Sequence, residues 1–212
     1  MKLKHGVLLT IDSPDLSGKS TQIPKLVAIL ENAGYDVVPS REPGGTPLAE
    51  KIRDLLLGNV YNPVAELLLF AAARAEHLHT KILPAMARGA VVVCDRFADS
   101  TFAYQGYGRG YVEEVSQLEE FVLKDFEPNY TLFFDIPLEE TERRLLARVD
   151  EINHLDLELK EFKERVYAGY KYRFEKHRGR MHRIDAMGTV DEVTQRVTTW
   201  VNKVFIPRNP LR

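Results

Sequence analysis

The eight residues Ser13-Pro14-Asp15-Leu16-Ser17-Gly18-Lys19-Ser20 constrain this chain more than any other segment. They follow directly on 6–11, a β-branched and leucine-rich run ending at Asp12 and suited to a strand buried on both faces. Beyond them Ile23, Leu26, Val27 and Leu30 recur on one helical stripe, with Pro24 inside it and Gly34 as its stop signal. A Gly-Lys-Ser turn between a strand and a helix has the chemistry of a phosphate loop, or P-loop. Backbone N–H groups and the helix N-terminus wrap phosphate oxygens, Lys19 neutralises the β and γ phosphates of ATP, and the Ser20 hydroxyl is placed for Mg2+. Gly18 lets the backbone come close to the ligand, and Ser17, Gly18, Lys19, Ser20 and Thr21 form the expected nucleotide-binding set. Such loops ordinarily begin with glycine, and here Ser13 stands in that place. If the position needs a positive φ, serine is strained there by about 1 kcal/mol.

The rest of the chain repeats the alternation. Runs at 36–39, 90–94, 130–136 and 181–185 read as further strands. Between them lie helical patterns carrying Leu48, Ile52, Leu55 and Leu56, a long helix at 64–88, and helices at 112–124 and 138–148. Helical spacing returns at Phe162, Val166 and Tyr170, and a closing helix carries Val193, Val197, Trp200, Val201 and Val204. The segments 41–46 and 107–110 read as loops, and the Pro-containing tail as lying outside the core. Strands alternating with helices require parallel crossovers, so the expected architecture is a three-layer α/β/α arrangement around a five-stranded parallel sheet. Without repeats, low-complexity tracts or a long linker, the 212 residues are expected to form one domain, 1–212.

Charge and cysteine usage narrow the function classes. Lys and Arg total 29 against 31 acidic residues, a formal net charge of −2, which argues against a nucleic-acid polymer as partner. Local arginines can still bind a small phosphorylated ligand. Cys94 is the only cysteine and follows three valines, so a buried, inert thiol in a reducing, cytoplasmic compartment is expected. No apolar stretch approaches the roughly 20 residues that span a bilayer, and the N-terminal apolar run is too short for a secretory signal.

Ordered blocks along the chain resemble thymidylate kinase from Gly6 to about Trp200. They are the loop through Gly18-Lys19-Ser20-Thr21, Arg41-Glu42-Pro43-Gly44-Gly45-Thr46, Phe70 with Arg74, Asp95-Arg96-Phe97, Ser100-Thr101, Tyr104-Gln105-Gly106 with Gly108-Arg109-Gly110, and Ile184-Asp185-Ala186. The resemblance implies a P-loop kinase fold and phosphoryl transfer from ATP to dTMP. By the same resemblance Asp15 contacts the sugar 3′-hydroxyl, Phe70 stacks on the thymine ring and Arg74 reads a base carbonyl. The pair Phe70 and Arg74 is spaced i, i+4, so both can face one pocket, although a core aromatic beside a surface arginine has the same spacing. Arg96 is implied as the acceptor-phosphate ligand, a role suited to a guanidinium fork, with Asp95 holding the metal through water. A plain ion pair at a strand end is the other reading of Asp95-Arg96. Arg41 and Arg53 are implied near the acceptor phosphate, and Ser100, Thr101 and Gln105 on the acceptor side. Tyr104 is implied to crowd the sugar 2′ position, and the long central helices to form a homodimer.

Two departures from the family pattern stand out. One is Ser13. The other is the short lid at about 149–158, which carries several acids and no Arg. Arg143, Arg144 and Arg148 precede it as substitute donors of positive charge, with Arg148 the expected lid catalyst. Two alternatives stay open on these grounds: a kinase for another pyrimidine monophosphate, or a nucleotide-binding relative with weak activity.

Overall fold

The computed structural model describes residues 3–59, 61–146 and 159–211. The expected lid and Arg148 lie outside the described residues. Strand β1 (Val7–Asp12) leads through the phosphate loop into α1 (Lys19–Asn32), followed by β2 (Val37–Arg41) and α2 (Pro47–Gly58). Helix α3 (Pro63–His77) runs through a wider π-helical turn, Leu78–Ile82, into α4 (Leu83–Ala87) and then β3 (Val91–Asp95). Next come α5 (Ala98–Thr101), which widens into a π-helical segment Phe102–Gly108, and α6 (Val112–Leu123). The chain closes with β4 (Tyr130–Asp135), α7 (Leu138–Leu146), α8 (Lys160–Lys176), β5 (Met181–Asp185) and α9 (Val190–Trp200). A π-helical turn, Val201–Phe205, joins α9 to the short α10 (Ile206–Arg208).

All five strands are parallel, in the order β2-β3-β1-β4-β5. Strand side chains point alternately to opposite faces, and the central strands are apolar on both. Leu9, Ile11, Val91, Val93, Leu132 and Phe134 face one way, into a core closed by Leu26 and Leu30 of α1 and Val193, Val197 and Trp200 of α9. On the other face Leu8, Val92 and Cys94 pack against Leu78, Ile82 and Ala85. Phe133 points the same way, onto Phe162, Val166 and Tyr170 of α8. This double burial is why the strands read as continuous apolar runs, and it produces the expected three layers. Helix α1 stops as Gly34 implied. Gly34 has φ 91°, its N–H donates to the Glu31 carbonyl at 2.8 Å, and Tyr35 N–H donates to that of Leu30 at 3.1 Å.

Three expectations need correction. The second strand spans Val37–Arg41 rather than 36–39, because it is an edge strand whose ladder to β3 extends through Arg41 and Asp95. Residues 107 and 108 belong to a helix and not a loop. Glycine there serves close packing: a Cβ on Gly108 would lie 2.6 Å from the Phe162 ring, and one on Gly169 of α8 would lie 2.9 Å from Ala103 Cα. Finally, the tail is docked. Leu211 packs on the core, and the Tyr35 hydroxyl donates to the Asn209 carbonyl at 2.8 Å.

Beneath α5 lies a buried ionic network. Asp99, fully buried, receives Arg173 Nε at 2.6 Å and Arg180 Nη1 at 2.7 Å, while Arg173 also reaches Glu119 at 2.8 Å. Burial alone would favour the protonated acid, but the two guanidiniums overcome it and hold the Asp99 carboxyl far below the usual carboxylate range. Asp99→Asn leaves two buried cations undercompensated and should cost about 3 kcal/mol in denaturant unfolding. A depressed native pKa gives stability that is fully present above the unfolded carboxyl's titration near pH ~3.9 and is lost as pH falls toward the native value. The wild-type midpoint should therefore fall more steeply with acid below that pH than the D99N midpoint.

Candidate active site

The register of β1 with β3 places Ile11 opposite Asp95, and the Arg96 N–H donates to the Ile11 carbonyl at 3.0 Å. The loops leaving these two strands therefore lie side by side at their carboxyl ends. After β1 the chain crosses to β2 at one edge, and after β3 it passes to β4 on the other side of β1. Such a reversal opens a crevice.

The loop Ser13–Ser20 is held from several sides. Ser13 is fully buried and is not among the described residues with positive φ, so the strain that a positive φ would bring does not arise there. Its hydroxyl pairs with that of Ser17 at 2.7 Å, and its carbonyl accepts Arg96 Nη1 at 2.9 Å. Left-handed backbone occurs instead at Leu16 (φ 62°), Gly18 (φ 86°) and Arg96 (φ 67°). For Leu16 and Arg96 this costs on the order of 1–2 kcal/mol each, offset at Leu16 by Arg144 of α7. Arg144 Nη1 donates to the Leu16 carbonyl and Nη2 to that of Ala186, each at 3.1 Å, tying α7, the loop and the end of β5 together.

Two cations face two carboxylates in the crevice. Lys19 Nζ lies 2.8 Å from Asp95 Oδ1, and Arg96 pairs with Asp15, whose other oxygen accepts the Tyr104 hydroxyl at 2.5 Å. Burial, followed by the neighbouring Arg96 charge, lowers the Lys19 pKa, while Asp95 and Asp15 oppose the shift. For Asp15 burial works toward a higher pKa, but Arg96 and the Tyr104 hydroxyl prevail and hold the carboxyl below its ordinary range. Arg96 Nη1 also donates to Ser100 Oγ at 3.2 Å and to the Tyr170 hydroxyl at 3.0 Å. Asp12 Oδ1 accepts Ser100 Oγ at 2.5 Å and the Phe97 N–H at 3.3 Å, fixing the start of α5 to the end of β1.

A cleft of about 720 Å3 runs from this pair of cations to α3, and every residue expected on the acceptor side lines it, as do Lys19, Ser20 and Asp95. Ser17, Gly18 and Thr21 complete the loop without lining that cleft. Phe70 stands at the wall. Arg74 is buried beside it, with Nε donating to Glu42 Oε2 and Nη2 to Thr101 Oγ1, both at 2.8 Å, and its guanidinium 5.2 Å from the Phe97 ring centroid. Glu42 also meets His77 Nδ1 at 2.9 Å, and His77 Nε2 meets Ser40 Oγ at 2.6 Å. Gly45 caps this chain of contacts: a Cβ there would lie 2.5 Å from Ser40 Oγ and 2.6 Å from His77 Nε2. Arg53 donates to the Pro43 carbonyl at 2.9 Å, and Arg41 pairs with Glu50 at 2.8 Å at the exposed rim. Ser20 and Asp95 present oxygen donors of the hard kind Mg2+ takes. No cluster of three or more His, Cys, Asp or Glu side chains that could hold a metal ion occurs among the described residues.

Asp12, Glu66, His77 and Tyr170 enter the site with no role there expected from the sequence. Tyr170 was read as part of an apolar stripe, and its ring is indeed core, but its hydroxyl emerges at Arg96. The available signal on α3 was the i, i+4, i+8 series Glu66, Phe70 and Arg74, which puts two charged residues on the face of an aromatic.

Comparison with known proteins agrees with this geometry. The thymidylate kinase family model matches residues 11–197. A thymidylate kinase of Pseudomonas fluorescens is 48% identical over 200 residues, covering 92% of this chain and 95% of the relative. One from Synechococcus is 44% identical over 207 residues, 97% of each chain, and one from Geobacillus thermodenitrificans is 43% identical over 194 residues, 89% and 86%. A chain with this loop, this cleft and these relatives belongs to the thymidylate kinase family.

Proposed function

We propose that this protein transfers the γ-phosphoryl group of ATP to dTMP, giving ADP and dTDP. The observation that carries the reading is the placement of Lys19 and Arg96 in one cleft, each beside a carboxylate, with the aromatic and arginine of α3 at its far end. Lys19 sits at the loop that cradles the donor phosphates. Arg96, with its fork anchored by Ser13, Ser100 and Tyr170, is aimed at the phosphate of the acceptor. In-line transfer passes through a loose transition state whose charge lies on phosphoryl oxygens, so positioning and positive charge supply the catalysis. The attacking phosphate oxygen is already anionic and needs no strong general base. Ser20 and Asp95 would hold Mg2+, which when bound neutralises charge on the phosphates.

At the acceptor end, Phe70 offers a ring for stacking and Arg74 a guanidinium for a base carbonyl. The Asp15 carboxylate accepts at the sugar 3′-hydroxyl, and the Tyr104 ring beside it leaves little room at C2′. Arg41 and Arg53 add positive charge at the phosphate side, and Thr101 holds Arg74 in place. A cytoplasmic location fits the lone, buried Cys94, and no helix among the described residues is long and apolar enough to cross a membrane. A homodimer is supported by large apolar side chains exposed on α3 and α6. Val64 and Leu68 of α3 are about half exposed, and Phe121 of the neighbouring α6 is 80% exposed.

A coupled ADP-release assay across dTMP, dUMP, dCMP, dGMP and AMP should give the highest kcat/KM with dTMP, and equal rates with a purine acceptor would refute the substrate. Lys19→Met should lower kcat by roughly 10²–10³, and Arg96→Lys, which loses the fork, should raise the acceptor KM more than the ATP KM. Light scattering should return twice the 24.2 kDa chain mass, reverting toward monomer in Phe121→Asp.

A further inference from the structure

Glu66 lies one turn before Phe70 on α3, 7% exposed, and does not line the cleft. Its carboxylate oxygen Oε1 accepts Gln105 Nε2 at 2.8 Å from behind, and its other oxygen faces the Arg109 guanidinium at 3.7 Å. Gln105, 3% exposed, does line the cleft. A carboxylate only accepts hydrogen bonds, so the amide must turn its NH2 toward Glu66, and its oxygen is left for the cleft. Flipping the amide would set its oxygen against a carboxylate oxygen, two acceptors with no proton between them. Nearby, Arg74 spends Nε on Glu42 and one terminal nitrogen on Thr101, so what it can still present is a donor.

We infer that Glu66 is a positioning residue that sets base specificity by locking the Gln105 amide, so that the cleft presents a donor from Arg74 beside an acceptor from Gln105. That pair matches the edge of thymine or uracil, where O4 accepts and N3–H donates. Cytosine carries an amino donor at C4 and an acceptor at N3, the reverse on both points. The inference rests on the dTMP kinase reading and deepens it by assigning to Glu66, which does not line the cleft, the orientation of the amide that meets the base.

The test compares kcat/KM for dTMP, dUMP and dCMP in wild type, Glu66→Gln, Gln105→Leu and the double variant. A glutamine at 66 can donate as well as accept, so the Gln105 amide is free to turn. In E66Q the preference for dTMP over dCMP should fall by roughly 10- to 100-fold, the scale of one mispaired buried hydrogen bond. The dTMP to dUMP ratio should stay at its wild-type value, because both bases share the same edge and a general loosening of α3 would move it. In the Q105L background E66Q should change the dCMP preference no further. An unchanged dTMP to dCMP ratio in E66Q, or an equal effect of E66Q with and without Gln105, would overturn the assignment. If E66Q loses turnover, calorimetric affinities of dTMP and dCMP for E66Q and Glu66→Ala give the same comparison. A wild-type protein that prefers dCMP overturns the lock and the dTMP reading together, whereas a dTMP kinase with a ratio insensitive to Glu66 overturns the lock alone.

Discussion

The contact on which the site depends is the pairing of β1 with β3, carried one residue past the end of β3 by the bond from Arg96 N–H to the Ile11 carbonyl. The pairing brings a loop that begins at Ser13 against one that begins at Arg96. Asp12 reaches across to Ser100 and the Phe97 N–H, and Arg96 reaches back to the Ser13 carbonyl. The two strand ends are thus laced together by main chain and side chain alike. A slip of one residue in this register would carry Asp95 away from Lys19.

The second layer of support is polar and buried. Asp99 lies beside Ser100 on α5 and is gripped by Arg173 and Arg180, with Thr131 of β4 in the same network. Buried ion pairs of this kind add little net stability over an apolar filling, but breaking one is costly. Their effect here is to give α5 one position, and with it Ser100, Thr101 and the segment carrying Tyr104 and Gln105. Helix α8 presses on that segment closely enough to require glycine at 108 and 169, and Arg165 donates twice to the Gly108 carbonyl, at 3.0 and 2.9 Å.

Much of the architecture was legible because its determinants are local. The runs that became β1, β3 and β4 are apolar on both faces, and the Gly-Lys-Ser turn lies where strand meets helix. Residues 102–108 were less legible, because Gly106 and Gly108 signal a break to any local rule while their real partners are Val112, Phe162 and Val166. Strain at Ser13 was open in the sequence for a related reason. Its φ depends on where the loop turns, and the turn falls at Leu16 and Gly18. In the cleft, motif residues could be named from their order along the chain, whereas the contacts of Glu42, Glu66 and His77 run to partners 32 to 39 positions away, beyond the reach of local spacing.

The pairing of Lys19 with Asp95 and of Arg96 with Asp15 bears on how anions enter. Each cation already has a counter-charge, so the crevice does not carry the mutual repulsion of two naked positive groups through folding. An incoming oxyanion must trade places with a carboxylate instead of filling a bare positive hole. On the proposed reading, a small inorganic anion touching one cation would gain little by that exchange, whereas two phosphorylated molecules meeting between both cations would displace two carboxylates at once. On the proposed reading, the paired crevice would favour two phosphorylated ligands over solvent anions.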